Sequence, residues 1–95
     1  MAYMHRRVKP KRLAYVKRAM PLLEKTIETT PEGLERIETL YLIGEYNRRL
    51  GNREKARAFF PAVKIAKYTD EDGKKQAGHP YFLELICDQI GRAHV

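Results

Sequence analysis

The stretch YLIGEYNRRLGNREKARAFF, Tyr41 to Phe60, decides the fold, because two runs with helical spacing meet at a single Gly51-Asn52 dipeptide. Arg48 and Arg49 fall in the last turn of the first run, where cations complement the negative end of the helix dipole. Gly51 then stands where a left-handed residue commonly closes a helix. Asn52 is an N-cap residue for the second run, and Glu54 suits its first turn. So short a connection makes the two helices fold back on each other, antiparallel or nearly so. Gly44 lies in the middle of the first of them, where it costs about 1 kcal/mol relative to alanine. Its presence predicts that a neighbouring helix crosses closely at that point.

Upstream of this hairpin, Thr30-Pro31-Glu32 has the form of a helix start: a hydroxyl N-cap, proline at the first helical position and an acid at the positive dipole end. The second helix is therefore expected from Pro31 to about Leu50, with Leu34, Ile37, Leu40, Tyr41, Ile43 and Gly44 on a broad apolar face. Before it, Leu13, Val16, Met20, Leu23 and Ile27 step by three and four, which predicts an amphipathic helix from Lys11 to Thr29. Pro21 interrupts that helix and removes one backbone hydrogen bond, at a cost of about 3 kcal/mol. The stripe keeps its phase across the proline, so the segment is either one kinked helix or two abutting at Met20-Pro21.

Downstream, a third helix is expected from Arg53 to about Tyr68, with Ala56 allowing close approach, Phe60 filling the space beyond, and Pro61 bending or shortening the helix. The segment TDEDGKKQAGHP, Thr69 to Pro80, is polar and without period, and reads as a loop. Pro80 opens a fourth helix through about Ile90, with Phe82, Leu85, Ile86 and Ile90 inward and Gly91 ending it. No stretch alternates with the period of two that marks a half-buried strand. The expected fold is all-α, a short antiparallel array of four to five helices. It forms one domain over residues 1–95, with residues 1–10 a basic, flexible arm.

Ninety-five residues suffice for one small core and no second domain. A hydrophobic content of 43% with 33% charged residues describes a folding chain rather than a disordered one. No run approaches the roughly 20 apolar residues of a membrane span, and no apolar segment follows the basic N-terminus as in a secretory signal; the expected location is cytoplasmic. Cys87 is the sole cysteine, so no disulfide forms within one chain, and the general behaviour of free cysteines predicts a buried thiol. The net charge of +7 is uneven. Seven of the 19 cations (Arg6, Arg7, Lys9, Lys11, Arg12, Lys17 and Arg18) precede Pro21 without an acid among them, and the other 12 face 12 acids. Such a segment either attracts phosphate or an acidic partner, or is a solvated face that aids solubility.

Over residues 34–66 the sequence resembles the tetratricopeptide repeat, whose skeleton is W-x2-L-G-x2-Y, then A-x3-F, then P. Here it stands as Leu40-x2-Ile43-Gly44-x2-Asn47, the Gly51-Asn52 turn, and Ala56-x3-Phe60, with Leu40 in place of the tryptophan, Asn47 in place of the tyrosine and Tyr68 where the proline would fall. The phrase LYLIGEYNRRLGN also resembles the helical tail of a bacterial family of unknown function whose front part carries paired cysteines; no such pairs occur here.

The repeat resemblance implies a non-enzymatic module that binds a peptide or protein, with the first helix of the pair lining a groove. On this chain that groove would be Glu38, Tyr41, Glu45, Arg48 and Arg49. One hairpin cannot bury both its faces and about three repeats are normally needed, so the flanking helices act as caps or chains associate, for instance as a homodimer through the fourth helix. The alternative is a nucleic-acid-associated accessory protein that contacts phosphate with Arg6, Arg7, Lys9, Lys11, Arg12, Lys17 and Arg18, with Tyr15 stacking on a base. Neither His5, His79 nor His94 is spaced with Cys87 or an acid as a nucleophile-base pair or metal site requires, and DEDG lacks the spacing of a calcium loop. No enzyme activity, metal or cofactor is expected.

Overall fold

The computed structural model describes residues 10–93, and side chains from 13 to 87, as four helices and a small hairpin. In chain order these are α1 (Pro10–Thr29), α2 (Leu34–Arg49), α3 (Arg53–Ile65), β1 (Lys67–Thr69), β2 (Lys75–Ala77) and α4 (Pro80–Ala93). The protein is thus an all-α antiparallel array with two three-residue strands, β2 within the segment read as a loop and β1 mostly within the expected end of the third helix. Residues 1–9 of the basic arm lie outside the described residues.

Helix α1 runs unbroken through Pro21, which lies on its exposed side. Val16 and Met20 are buried against Ile43 of α2, with Leu23 and Ile27 packed beside them. The stripe read from the sequence is therefore the packed face. Thr30 does not cap α2, contrary to expectation. Its hydroxyl donates to the Thr26 carbonyl at 2.7 Å, and the guanidinium of Arg36, reaching back from α2, donates to the carbonyls of Ile27 and Thr30 at 2.7 and 2.9 Å. These carbonyls are among those a helix end leaves without partners, and α1 has no cation in its own last turn. Because the Thr30 hydroxyl closes α1, α2 starts three residues later than predicted, at Leu34 after Gly33.

Between α2 and α3 the chain turns as expected, but by a different use of Asn52. The Gly51 N–H donates to the Arg48 carbonyl at 3.1 Å and the Asn52 N–H to the Asn47 carbonyl at 2.8 Å, the paired bonds of a Schellman closure. Gly51 has φ +86°, a conformation in which a side chain meets its own carbonyl. Gly51→Ala is expected to lower stability by about 1–2 kcal/mol, measurable by urea unfolding. Asn52 occupies the N-cap position of α3 without a capping side-chain bond. Its amide instead donates to Oδ1 of Asn47 at 3.2 Å, while the Asn47 amide donates to the Ile43 carbonyl at 2.8 Å. Asn47, only 1% exposed, thus has both ends of its amide satisfied.

Gly44 meets the expectation placed on it. A Cβ there would stand 2.8 Å from Cε1 and 2.9 Å from Cδ1 of Phe60, well inside contact distance. The hairpin then merges with α4 in one cluster of Ile37, Leu40, Tyr41, Ala56, Phe60, Val63, Phe82 and Ile86. Pro61 lies inside α3, which continues only to Ile65 rather than to Tyr68. Tyr68 belongs to β1, where its ring packs on His79 at 4.7 Å, and His79 packs on Phe82 at 5.4 Å. Helix α4 passes through Gly91, which was expected to end it.

The hairpin pairs Lys67 with Ala77, Tyr68 with Gln76 and Thr69 with Lys75. Asp70 makes the turn. Its Oδ1 accepts from the N–H groups of Asp72 and Lys74, both at 2.9 Å, and its Oδ2 from the Gln76 amide at 3.0 Å, while Gly73 takes φ +78°. This is a three-residue loop closed by a left-handed glycine. The Lys74 N–H first, then the Gln76 amide and the Asp72 N–H, hold the Asp70 carboxyl below the ordinary aspartate range. With its folded value depressed, Asp70 contributes its full stabilisation above the unfolded value near pH 3.9, and loses it as pH falls through the folded value. Amide exchange within β1 and β2 is expected to quicken in that acid window, and Asp70→Asn to shift that acid response while leaving the helices protected.

Candidate functional site

The five groove residues read from the sequence are not presented on one surface. Glu38 is exposed, and Arg48 and Arg49 are exposed at the end of α2. Tyr41 is 9% exposed, with its ring centre 6.1 Å from that of Phe60 and 6.0 Å from that of Phe82. Glu45 is 5% exposed; its Oε1 accepts from Nε of Arg48 at 2.6 Å, and its Oε2 lies 3.9 Å from Nη2 of Arg49. The fold therefore gathers Glu45, Arg48 and Arg49 into one ion-paired group and places Tyr41 in an aromatic cluster. The physical reason is α4. Phe82 closes over Tyr41, so α2 has α4 as a neighbour as well as α1 and α3.

One line on α2 is open except at the buried Glu45. Leu34, Glu38, Leu42, Glu45 and Arg49 step by four, four, three and four, and so lie along one side of the helix. Leu34 and Glu38 are exposed, Leu42 is half-buried, and Arg49 ends the line beside Glu45. This places apolar side chains between charged ones. Periodicity alone could not distinguish Leu34 and Leu42 from core residues, since both are leucines on a broadly apolar helix.

Of the basic residues assigned to phosphate or acidic partners, Arg6, Arg7 and Lys9 lie outside the described residues, and Lys11 and Arg12 fall within the first turn of α1. Lys17 and Arg18 are exposed on α1. As adjacent helical residues they point about 100° apart and do not share a face.

Cys87 is exposed rather than buried, because α4 is held by Phe82 and Ile86 on its other side. The His79 ring is engaged by Tyr68 and Phe82, and its Nδ1 accepts from the Tyr81 N–H at 3.3 Å. Among the described residues no three histidine, cysteine or acidic side chains converge as metal ligands, and no helix is long and apolar enough to cross a membrane.

Two shallow depressions lie on the surface of the described residues. One, of about 370 Å³, lies where α2 begins and α3 ends, between Arg36, Leu40, Ala62 and Ile65. At its edge Nζ of Lys75 lies 2.9 Å from Glu32, and this hydrogen-bonded ammonium holds the Glu32 carboxyl below its usual range. The other, about 540 Å³, lies on α4 and is lined among the described side chains by Tyr81, Glu84, Leu85 and Cys87.

Neither the curated proteins nor the solved structures give a significant match to this chain. A family described as an uncharacterized protein conserved in bacteria (DUF2225) matches residues 1–77, a span that takes in the basic N-terminal segment, α1, the α2–α3 pair and the β-hairpin, and stops short of α4. By that match over most of its length, the chain belongs to the DUF2225 family.

Proposed function

We propose that this chain is a non-enzymatic, tetratricopeptide-like interaction module of the bacterial cytoplasm, and that it receives a protein or peptide along the open line of α2. What supports the repeat-like reading is local: the Gly44–Phe60 contact, buried Ala56 and the Schellman turn at Gly51 all occur at the positions where the repeat skeleton has its small and turn residues. The observation that carries the binding reading is the line Leu34, Glu38, Leu42, Glu45, Arg49. Leu34, Glu38 and Arg49 are exposed and Leu42 is half-buried, with the buried Glu45 held by Arg48 among them, so the line offers apolar area beside charge of both signs. An extended or helical peptide of mixed apolar and charged residues is the chemistry that matches it.

The test is a comparative capture from the native host. Wild-type protein and a Leu34→Glu/Glu38→Arg double variant are used as baits, after matching melting curves show that both are folded. Both positions are exposed and neither belongs to the Glu45 ion-paired group, so a partner that reads this line is retained by the wild type and lost from the variant. Identical sets of captured proteins from both baits would remove the α2 line as a binding surface.

A further inference from the structure

Helix α1 carries two stripes, and the fold uses one. Val16, Met20, Leu23 and Ile27 pack with Ile43 of α2, and Leu13 on the same stripe is half-buried. On the other side Tyr15, Arg18, Leu22 and Lys25 step by three, four and three, a second line along the helix. Tyr15 is 59% exposed and Leu22 68% exposed, and no acid interrupts the line. A helix apolar on two sides is built for neighbours on two sides. Helix α4 is in the same position. Phe82 and Ile86 hold it to the core, while Tyr81, 59% exposed, stands with Glu84, Leu85 and Cys87 around the depression of about 540 Å³.

The two open faces complement each other. The ridge on α1 has an aromatic and an aliphatic side chain flanked by cations, and the depression on α4 has an aromatic and an aliphatic side chain flanked by an acid. They cannot meet within one chain, because α1 packs against α2 around Ile43 while α4 packs on the far side of α2, over Tyr41 and Phe60. We infer that copies of this chain stack head to tail, the outer face of α1 in one copy seating in the α4 depression of the next, apolar groups inward and Arg18 and Lys25 facing Glu84. The contact is heterologous, since each copy offers one ridge and one depression, and repetition yields a ring or an open chain rather than a closed dimer. This deepens the interaction reading by naming a partner for surfaces that the α2 line does not use.

A single helix-on-helix contact falls below the roughly 1,200 Å² of a stable interface, so the association is weak and requires a concentration series from about 10 to 500 μM. Sedimentation equilibrium of the full chain is expected to show a mass that rises with concentration. Leu22→Glu and Tyr81→Glu, both at exposed positions, are each expected to remain monomeric with an unchanged melting temperature. The decisive sample is their equimolar mixture. One variant keeps its α4 depression and the other its α1 ridge, so the mixture forms a dimer and stops there. Under mild oxidation, Leu22→Cys is expected to form interchain disulfides with Cys87 of another copy and give a ladder of species, which Cys87→Ser abolishes.

A wild-type chain that stays monomeric throughout the series overturns the proposal, as does a mixture of the two variants that fails to pair, which points to a symmetric contact. Association that disappears after nuclease treatment overturns it too and assigns the α1 ridge to phosphate. Glu38→Arg leaves this assembly intact, so failure here and failure of the α2 line are separable.

Discussion

Gly44→Leu is expected to abolish the cooperative unfolding transition, leaving a chain without fixed packing by near-ultraviolet circular dichroism. The reason is the missing side chain. Even a single Cβ would stand 2.8 Å from the Phe60 ring, which is buried and held in turn by Tyr41. Overpacking a filled core costs about 1–3 kcal/mol per small insertion, and leucine adds three carbons beyond that first one in a domain whose whole stability is of the order of 5–15 kcal/mol. Gly44→Ala gives the graded version. With the Cβ 2.8 Å from the ring the clash falls in the upper part of that range, about 2–3 kcal/mol, and is offset by about 1 kcal/mol of improved helix propensity, for a net loss of about 1–2 kcal/mol and a melting temperature lower by roughly 4–15 °C.

The Phe60→Leu change separates this from a backbone effect. Combined with Gly44→Ala it removes the ring that clashes, so the double variant is expected to be more stable than the sum of the single losses by about 1 kcal/mol. Gly44→Ala as stable as the wild type in urea unfolding would mean that the two helices have room to separate, and the hairpin geometry would need revision.

Asn47→Asp should cost nearly as much with no change in volume. The Asn47 amide donates to the Ile43 carbonyl and its oxygen accepts from Asn52, at a position 1% exposed. A carboxylate placed there faces the Ile43 carbonyl with nothing to donate, and an uncompensated charge at such depth destabilises by about 3–5 kcal/mol. Burial raises the folded pKa of the new acid above its unfolded value, so the penalty is absent below the unfolded value and grows as pH rises through the folded one. Thermal melts of this variant are therefore expected to approach the wild type in acid and to diverge from it at neutral pH. Asn47→Leu, which also removes the bonds but buries no charge, is expected to lose only about 1–2 kcal/mol. Equal losses for the two variants, independent of pH, would show that Asn47 is held by shape and not by its hydrogen bonds.

The helical part of the fold was legible because its signals are local. Gly51 after two arginines, the stripe from Leu13 to Ile27 and the small residues Gly44 and Ala56 each constrain their own turn of helix, and each appears in the structure in the role its spacing implies. Start and stop signals were less secure because one side chain can serve either neighbour. The Thr30 hydroxyl closes α1 instead of opening α2, and the Asn52 amide reaches back to Asn47 instead of capping α3. The β-hairpin was missed because strands of three residues are too short to show alternation. Asp70 and Gly73 nonetheless carry its turn chemistry within the segment that reads as loop.

The candidate surface was the least legible part. Tyr41 and Glu45 were assigned to a peptide-binding groove from the helix they occupy, but both are buried, and Tyr41 is covered by Phe82, some forty residues later. The same dependence turned Cys87 outward, once Phe82 and Ile86 had taken the core side of α4.

By itself, then, the order of residues determined that the protein is helical, where its central chain reversal falls and which residues leave room at the crossing, since these follow from backbone preferences that act over a few residues. Which faces of α1, α2 and α4 meet water was decided only by tertiary packing. A helical residue is covered or left open by whatever lies across from it, and that neighbour comes from a distant part of the chain.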